Sequence, residues 1–350
     1  MYSTIAVVSL FAILSATGKV SAGFDASSAQ NVAVYWGQNS KGQSTGPDVQ
    51  QNLAHYCAST DLDIIPMAFM TAFPGTGGQP EINFANIDDN CTLFDGTALL
   101  NCPQLADDIA ACQNTYQKTL LLSAGGATYS GGGFTSESAA TAAADLVWAT
   151  FGPQQSGSSA LRPFGAAAVD GFDLDFESTV TNMVPFANAL RDHMDADQAS
   201  TGKQWLLTAA PQCPYPDAAD NDMLNGAVSF DAIWVQYYNN YCGVNSYVAG
   251  AATQNNFNFD TWDNWAKTVS KNPNVKVLLG VPASTTAGGG YEDADTLKGI
   301  IDYCKTFSSF GGVMMWDASQ AFANGDFLSS VKSSLTTSTS RLMRRGLRAA

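Results

Sequence analysis

Charge is scarce in this chain. Only 13% of its 350 residues are Asp, Glu, Lys or Arg, against about a quarter in an ordinary soluble protein. Basic residues are the scarcer kind, 16 against 31 acidic. Residues 23–331 hold 10 basic and 31 acidic side chains, a net charge of −21. A body that acidic repels a phosphate backbone, which excludes nucleic acid as a partner and favours a neutral substrate. Histidine is nearly absent. His55 and His193 are the only two, neither lies in an H-E-x-x-H pattern, and no C-x-x-C pair occurs. Zinc and redox readings lose their ligands, so neither a metal nor a cofactor is expected. No apolar run reaches the length of a membrane span; that at 5–16 has 12 residues. Internal repeats and linkers are missing too, which points to one domain.

Hydrophobic residues make up 45% of the chain, enough for a large core and too many for a disordered protein. The apolar run 5–16 is followed by Val20-Ser21-Ala22, small residues where a signal peptidase reads. Residues 1–22 therefore read as a secretory signal, with the terminal amine as its positive end because Met1–Thr4 carry no Lys or Arg. A short buried helix is the alternative. The carboxyl end shows no apolar anchor tail, and the expected location is secreted, extracellular or in the cell wall. Oxidising conditions favour disulfides among the seven cysteines and leave one over. Spacing alone does not choose the pairing. Cys304 lies in an apparently amphipathic helix and is the candidate free thiol. Asn90-Cys91-Thr92 is a glycosylation sequon.

Eight apolar or β-branched runs recur at wide intervals: 31–35, 64–69, 119–123, 169–176, 206–209, 233–237, 275–280 and 312–315. Continuous apolar runs suit strands buried on both faces of a parallel sheet. Helical patterns lie between them, clearest at 50–57, 105–116, 136–150, 180–194, 259–270 and 294–307. Strand and helix alternating in this way predict an α/β fold, a single-domain (β/α)8 TIM barrel over 23–334; an open doubly wound sheet is the alternative. The stretch 70–104 reads as an elaborated loop on the active-site face. Residues 335–350, Ser/Thr-rich and then Arg-rich, read as a basic tail without structure.

The informative segment is Asp170-Gly171-Phe172-Asp173-Leu174-Asp175-Phe176-Glu177. Side chains alternate along a strand, so Asp173, Asp175 and Glu177 share one face and Phe172, Leu174 and Phe176 the other. Burial and like charge both push carboxyl pKa values up. A raised pKa suits a general acid near neutral pH. Two other readings of an acid cluster fit less well. A solvated face would not oppose Phe, Leu and Phe, and calcium prefers a flexible loop of oxygens.

The pattern Asp170-x-x-Asp173-x-Asp175-x-Glu177 resembles the signature of glycoside hydrolase family 18. Other segments match in the same order: 32–39 its first strand, Leu121–Gly126 its third-strand Ser-x-Gly-Gly, and Gly311–Trp316 its eighth strand. Segments 207–214 and 234–239 are similar to the class III, hevamine-type branch, in its fungal secreted style. The resemblance spans roughly 24–334 and implies a barrel that cleaves β-1,4-linked N-acetylglucosamine. It implies a retaining, substrate-assisted route, an exception to the two-carboxylate scheme. Glu177 would be the acid and then the base. Asp175 would orient the acetamido group, and Asp173 would share a proton with Asp175. Tyr238 would bond the acetamido oxygen, Gln236 would position the sugar, and Trp316 would form an aromatic floor. Tyr35, Gln38, Phe69 and Gly126 lie at strand ends as candidate cleft walls, although Phe69 fits the core as well. Tyr237 points away from Tyr238 and reads as structural. The resemblance also implies disulfides Cys57–Cys112, Cys91–Cys102 and Cys213–Cys242.

Three functions follow. The first is an endo-acting chitinase, a monomer working on chitin or chitooligosaccharides. The second is a non-catalytic chitin lectin or inhibitor on the same barrel, a class that typically loses the terminal Glu. The third is an endo-β-N-acetylglucosaminidase acting on N-glycans. Glu177, Asp175 and Tyr238 together favour the first over the second, and the class III segments favour it over the third.

Overall fold

A computed structural model describes residues 23–337. The signal expected at 1–22 and the arginines of the basic tail lie outside the described residues. Each of the eight apolar runs forms a strand. They are β1 Asn31–Val34, β2 Ile64–Ala72, β3 Thr119–Gly125, β4 Gly171–Asp175, β5 Leu206–Ala209, β6 Ala232–Gln236, β7 Lys276–Pro282 and β8 Phe310–Trp316. Every neighbouring pair is parallel, and β1 pairs with both β8 and β2. The sheet is therefore closed, a single (β/α)8 barrel, and the open-sheet alternative falls.

Strand alternation sorts two cores. Ala33, Tyr35, Leu121, Leu206, Trp234, Leu278 and Met314 fill the barrel, with Phe24 and Trp316 packed against them. Val32, Leu122, Phe172, Leu174, Phe176, Val235 and Leu279 pack in the outer core. Removing both faces from water explains why these strands read as continuous apolar runs.

The helices are α1 Leu53–Cys57, α2 Gln104–Ala110, α3 Glu137–Phe151, α4 Met183–Thr201, α5 Asn221–Leu224, α6 Phe259–Thr268, α7 Ala294–Cys304, α8 Ala318–Phe322 and α9 Phe327–Thr336. Side-chain caps start three of them: Ser136 accepts from Ala139 N–H, Asp293 from Thr296 N–H and Asp317 from Gln320 N–H. Two expected starts move inward. Asn182 is left-handed (φ 55°), so α4 begins at Met183 rather than 180. The Gln50 side chain accepts from Gly37 and Asn39 N–H and serves a loop, and α1 begins at Leu53. The expected tail is also shortened. Leu335 lies on the buried stripe of α9 with Phe327, Leu328 and Val331, and this helix runs on to Thr336.

The three disulfides are Cys57–Cys112, Cys91–Cys102 and Cys213–Cys242, and Cys304 is a buried free thiol. Cys91–Cys102 closes a hairpin (Thr92–Leu93 with Leu100–Asn101) inside the elaborated 70–104 loop. Among the described residues no helix is long and apolar enough to cross a membrane.

At the amino ends of the strands one device repeats. Asp63, Asp170 and Asp231 each precede a strand and grip the strand before it. They accept the backbone N–H of Val32 at 2.8 Å, Leu120 at 2.9 Å and Leu207 at 2.8 Å. Each also holds a cation: Lys332 at 2.6 Å, Lys203 at 3.1 Å and Arg191 at 2.8 Å.

Candidate active site

The carboxyl ends of the strands carry the candidate site, as barrel architecture requires. β4 turns Asp173 and Asp175 inward, and Glu177 follows two residues beyond them at the mouth. Close packing of β3 on β4 makes this placement possible. A Cβ on Gly125 (φ +112°) would lie 2.3 Å from the Asp175 carbonyl oxygen, so no other residue fits. Gly126 N–H then donates to that same oxygen at 2.7 Å.

Asp173 is fully buried, and four donors converge on its carboxylate. Oδ2 accepts the hydroxyls of Tyr35 at 2.5 Å and Ser123 at 2.7 Å. Oδ1 accepts the Thr208 hydroxyl and the Trp234 indole N–H, both at 2.7 Å. Burial pushes the pKa of Asp173 up, and these four donors pull it back. They also occupy the lone pairs a cation would need. Donors from β3, β5, β6 and the end of β1 thus fix the Asp173 carboxylate.

Asp175 is treated differently. Its Oδ1 accepts one hydrogen bond, from Gln236 Nε2 at 2.9 Å. Burial first, then the charges of Glu177 and Asp173, push its pKa well above the ordinary value. Glu177 is also raised, chiefly by burial and then by the charge of Asp217, with Gln236 pulling the other way. Gln236 therefore braces the acids, its amide held by the Ala210 carbonyl at 2.9 Å.

Tyr238 is 7% exposed. Burial, then the charges of Asp175 and Glu177, hold its hydroxyl well above its usual pKa, so it stays a donor. Trp316 ends β8, half-buried, and stacks on Phe69 with ring centroids 5.8 Å apart and planes 18° apart. Gly126 backs this pair; a Cβ there would lie 2.7 Å from the Phe69 ring. Gln38 lies at the rim and donates to the Ala68 carbonyl at 2.9 Å. Tyr35, expected as a cleft wall, is only 1% exposed. Its ring packs 5.5 Å from Trp316 and its hydroxyl holds Asp173, so it lies beneath the floor rather than beside the cleft. Tyr237 is buried in the outer core, as expected of a structural residue.

Several contributors were missed from sequence. Ser123 and Thr208 carried a signal, being polar residues at inward positions of apolar strands. Asp217 and Asp220 carried none that sets them apart in a loop. Asp217 accepts the backbone N–H of Gln212, Ala219 and Asp220. Asp220 is fully buried with neither carboxyl oxygen partnered among the described residues. Burial, then the charges of Asp217, Asp175, Asp173 and Glu177, raise its pKa strongly. A buried carboxyl without partners is favoured in its neutral form.

Comparisons with known proteins bear on the family. The profile of Glycosyl hydrolases family 18 matches residues 31–289. A class III chitinase of Arthroderma benhamiae is 51% identical over 340 residues, covering 97% of this chain and 95% of that one. Endochitinase 33 of Trichoderma harzianum is 48% identical over 331 residues, covering 94% and 99%. Among solved structures, ICChI chitinase from Ipomoea carnea superposes with a TM-score of 0.66 at 28% identity, covering 87% of this chain and 99% of that one. A profile match over most of the barrel and relatives this similar along nearly their whole length lead to one conclusion: the chain belongs to glycosyl hydrolase family 18.

Proposed function

We propose that this glycoside hydrolase is a secreted endochitinase, cleaving β-1,4-linked N-acetylglucosamine chains with retention of anomeric configuration. The observation that carries the reading is the contrast along one segment, Asp173 bound by four donors and, after it, Asp175 and Glu177, whose pKa values burial raises.

The chemistry follows from those states. A protonated Glu177 gives its proton to the glycosidic oxygen as the bond from that oxygen to the anomeric carbon breaks. The substrate's own acetamido oxygen attacks the anomeric carbon from the opposite face and forms an oxazolinium ion. Asp175, its proton shared with Asp173, aligns the acetamido N–H and stabilises the positive charge, while the Tyr238 hydroxyl donates to the acetamido oxygen. Glu177, now a carboxylate, takes a proton from water as that water bonds to the anomeric carbon on the face the leaving group left and breaks the oxazolinium C–O bond, and the two inversions return the β-anomer. Preorganised groups of this kind act where charge develops and need no reorganisation. Gln236 supports the acids more than the sugar. Asn90 and Thr92 are exposed, and on a secreted chain we assign Asn90 as a glycan acceptor.

The test follows wild type and Glu177→Gln on a chitin hexamer, resolving product lengths and fresh anomers. Internal cleavage to β-anomers by wild type, absent in the folded variant, is expected. A folded wild type that binds the hexamer and leaves it intact overturns the enzymatic reading of this substrate.

A further inference from the structure

The turn after β5 is short of backbone donors. It runs Gln212-Cys213-Pro214-Tyr215-Pro216-Asp217, and its two prolines bring no N–H. The buried Asp217 carboxylate closes it instead. Oδ2 accepts the N–H of Gln212, five residues back, at 3.0 Å, and Oδ1 accepts those of Ala219 at 2.8 Å and Asp220 at 2.6 Å. All three partners are donors, which suits a carboxylate. Gln212 is held by Asp217 on one side and pairs with Gln236 on the other, in a parallel bridge. Gln236 N–H donates to the Pro211 carbonyl at 2.8 Å, and Cys213 N–H to the Gln236 carbonyl at 3.2 Å. Asn240 Nδ2 adds a bond to Gln212 Oε1 at 2.9 Å. The Gln236 side chain in turn donates to Asp175 Oδ1 at 2.9 Å. One unbroken run of contacts leads from Asp217 through Gln212 and Gln236 to Asp175.

The titratable groups set against Glu177 are Asp175 on β4, Asp217 and Asp220 after β5, and Tyr238 after β6. None of them has an ion-pair partner among the described residues. Burial raises the pKa of Asp217, and its three N–H donors pull it back. Asp217 therefore reaches the acids twice, through Gln236 and by its own charge, which adds to burial in raising Glu177. We propose that Asp217 is a positioning residue of the reaction: it closes the 212–217 turn, and the closed turn holds Gln236 on Asp175 while its charge stands beside Glu177. This rests on the chitinase reading and adds to it a residue that acts through Gln236 rather than on the sugar.

The experiment compares wild type, Asp217→Ala and Asp217→Asn on a chitin hexamer, with circular dichroism to show that each is folded. Asp217→Ala opens the turn and should lower kcat about 10- to 100-fold. KM should stay within about threefold, because Gln236 serves the acids. Asp217→Asn keeps one oxygen acceptor and should regain part of the lost kcat. It also removes a like charge from Glu177, so the alkaline limb of its kcat/KM profile should move to lower pH. A merely structural turn would lower stability and leave that limb in place. Should Asp217→Ala fail to fold, the limb of Asp217→Asn decides alone. Folded variants with wild-type kcat and an unmoved limb, beside an active wild type, overturn the role of Asp217 and leave the chitinase reading standing. A loss carried by KM with kcat kept does the same. A folded wild type that does not cleave the hexamer overturns the chitinase reading and this role with it.

Discussion

The two ends of the barrel use the same residue for opposite purposes. At the amino end, Asp63, Asp170 and Asp231 each hold a strand N–H and each have a cation within 3.1 Å. At the carboxyl end, Asp173, Asp175, Glu177, Asp217 and Asp220 gather with no ion-pair partner among the described residues. Burial raises pKa values at both ends, Asp63 and Asp231 included. The difference is the counterweight. Lys332 and Arg191 oppose burial at the amino end, whereas at the mouth neighbouring carboxylates add to it. Carboxylates with cations tie strands together. Carboxyls without them are pushed toward the protonated form, which is the state a general acid requires. A cavity of about 960 Å³ opens at the amino end, lined by Phe24, Asp170, Arg191 and Lys203 among others. Arg191 there pairs with Asp195 and Asp231, and Lys203 with Asp170, and the cavity lies away from the chemistry.

The largest effect expected from this contrast is on turnover. Glu177→Gln should lower kcat about 10³–10⁴-fold while the thermal midpoint holds or rises. Activity within tenfold of wild type would remove Glu177 from its role. At the other end, Lys332→Ala should leave kcat per folded molecule unchanged and cost about 1–2 kcal/mol of stability, because a mostly buried Asp63 loses its partner. Calorimetry showing no change in melting would demote the amino-end pairs to decoration.

A subtler effect has its sign set by linkage. Asp175 binds its proton more tightly folded than unfolded, so its contribution to stability is full below the unfolded pKa and is lost as pH rises through the folded one. Asp175→Asn removes that loss. The variant should melt higher than wild type at pH 7, and the gain should shrink toward pH 4. A gain independent of pH, or a loss at pH 7, would mean that Asp175 is held as a carboxylate after all.

Much of this was legible in the residues. Eight apolar runs alternating with helical patterns have few architectures other than a closed barrel, and Phe172, Leu174 and Phe176 opposite three acids fixed the inward face of β4. What stayed hidden depends on long-range contact. Lys332 and Asp63 meet across 269 residues, a pairing that no local pattern encodes. Tyr35 looked like a cleft wall because it lies at a strand end, yet the depth of Asp173 draws its hydroxyl beneath the floor. α9 was hidden by its Ser and Thr content; its apolar stripe is short, and packing against the barrel overrides the weak propensity. Asp217 and Asp220 sit in a loop, where periodicity says nothing about which side chains turn inward.

The central claim is that the mouth keeps Glu177 protonated where an ordinary glutamate would be ionised. The most direct measurement is the pH dependence of kcat/KM on a chitin hexamer, whose alkaline limb reports the essential acid of the free enzyme. The account predicts a limb clearly above 4.5, the ordinary value for this side chain. An alkaline limb at or below that value would contradict it, since Glu177 would then titrate as if it stood in water.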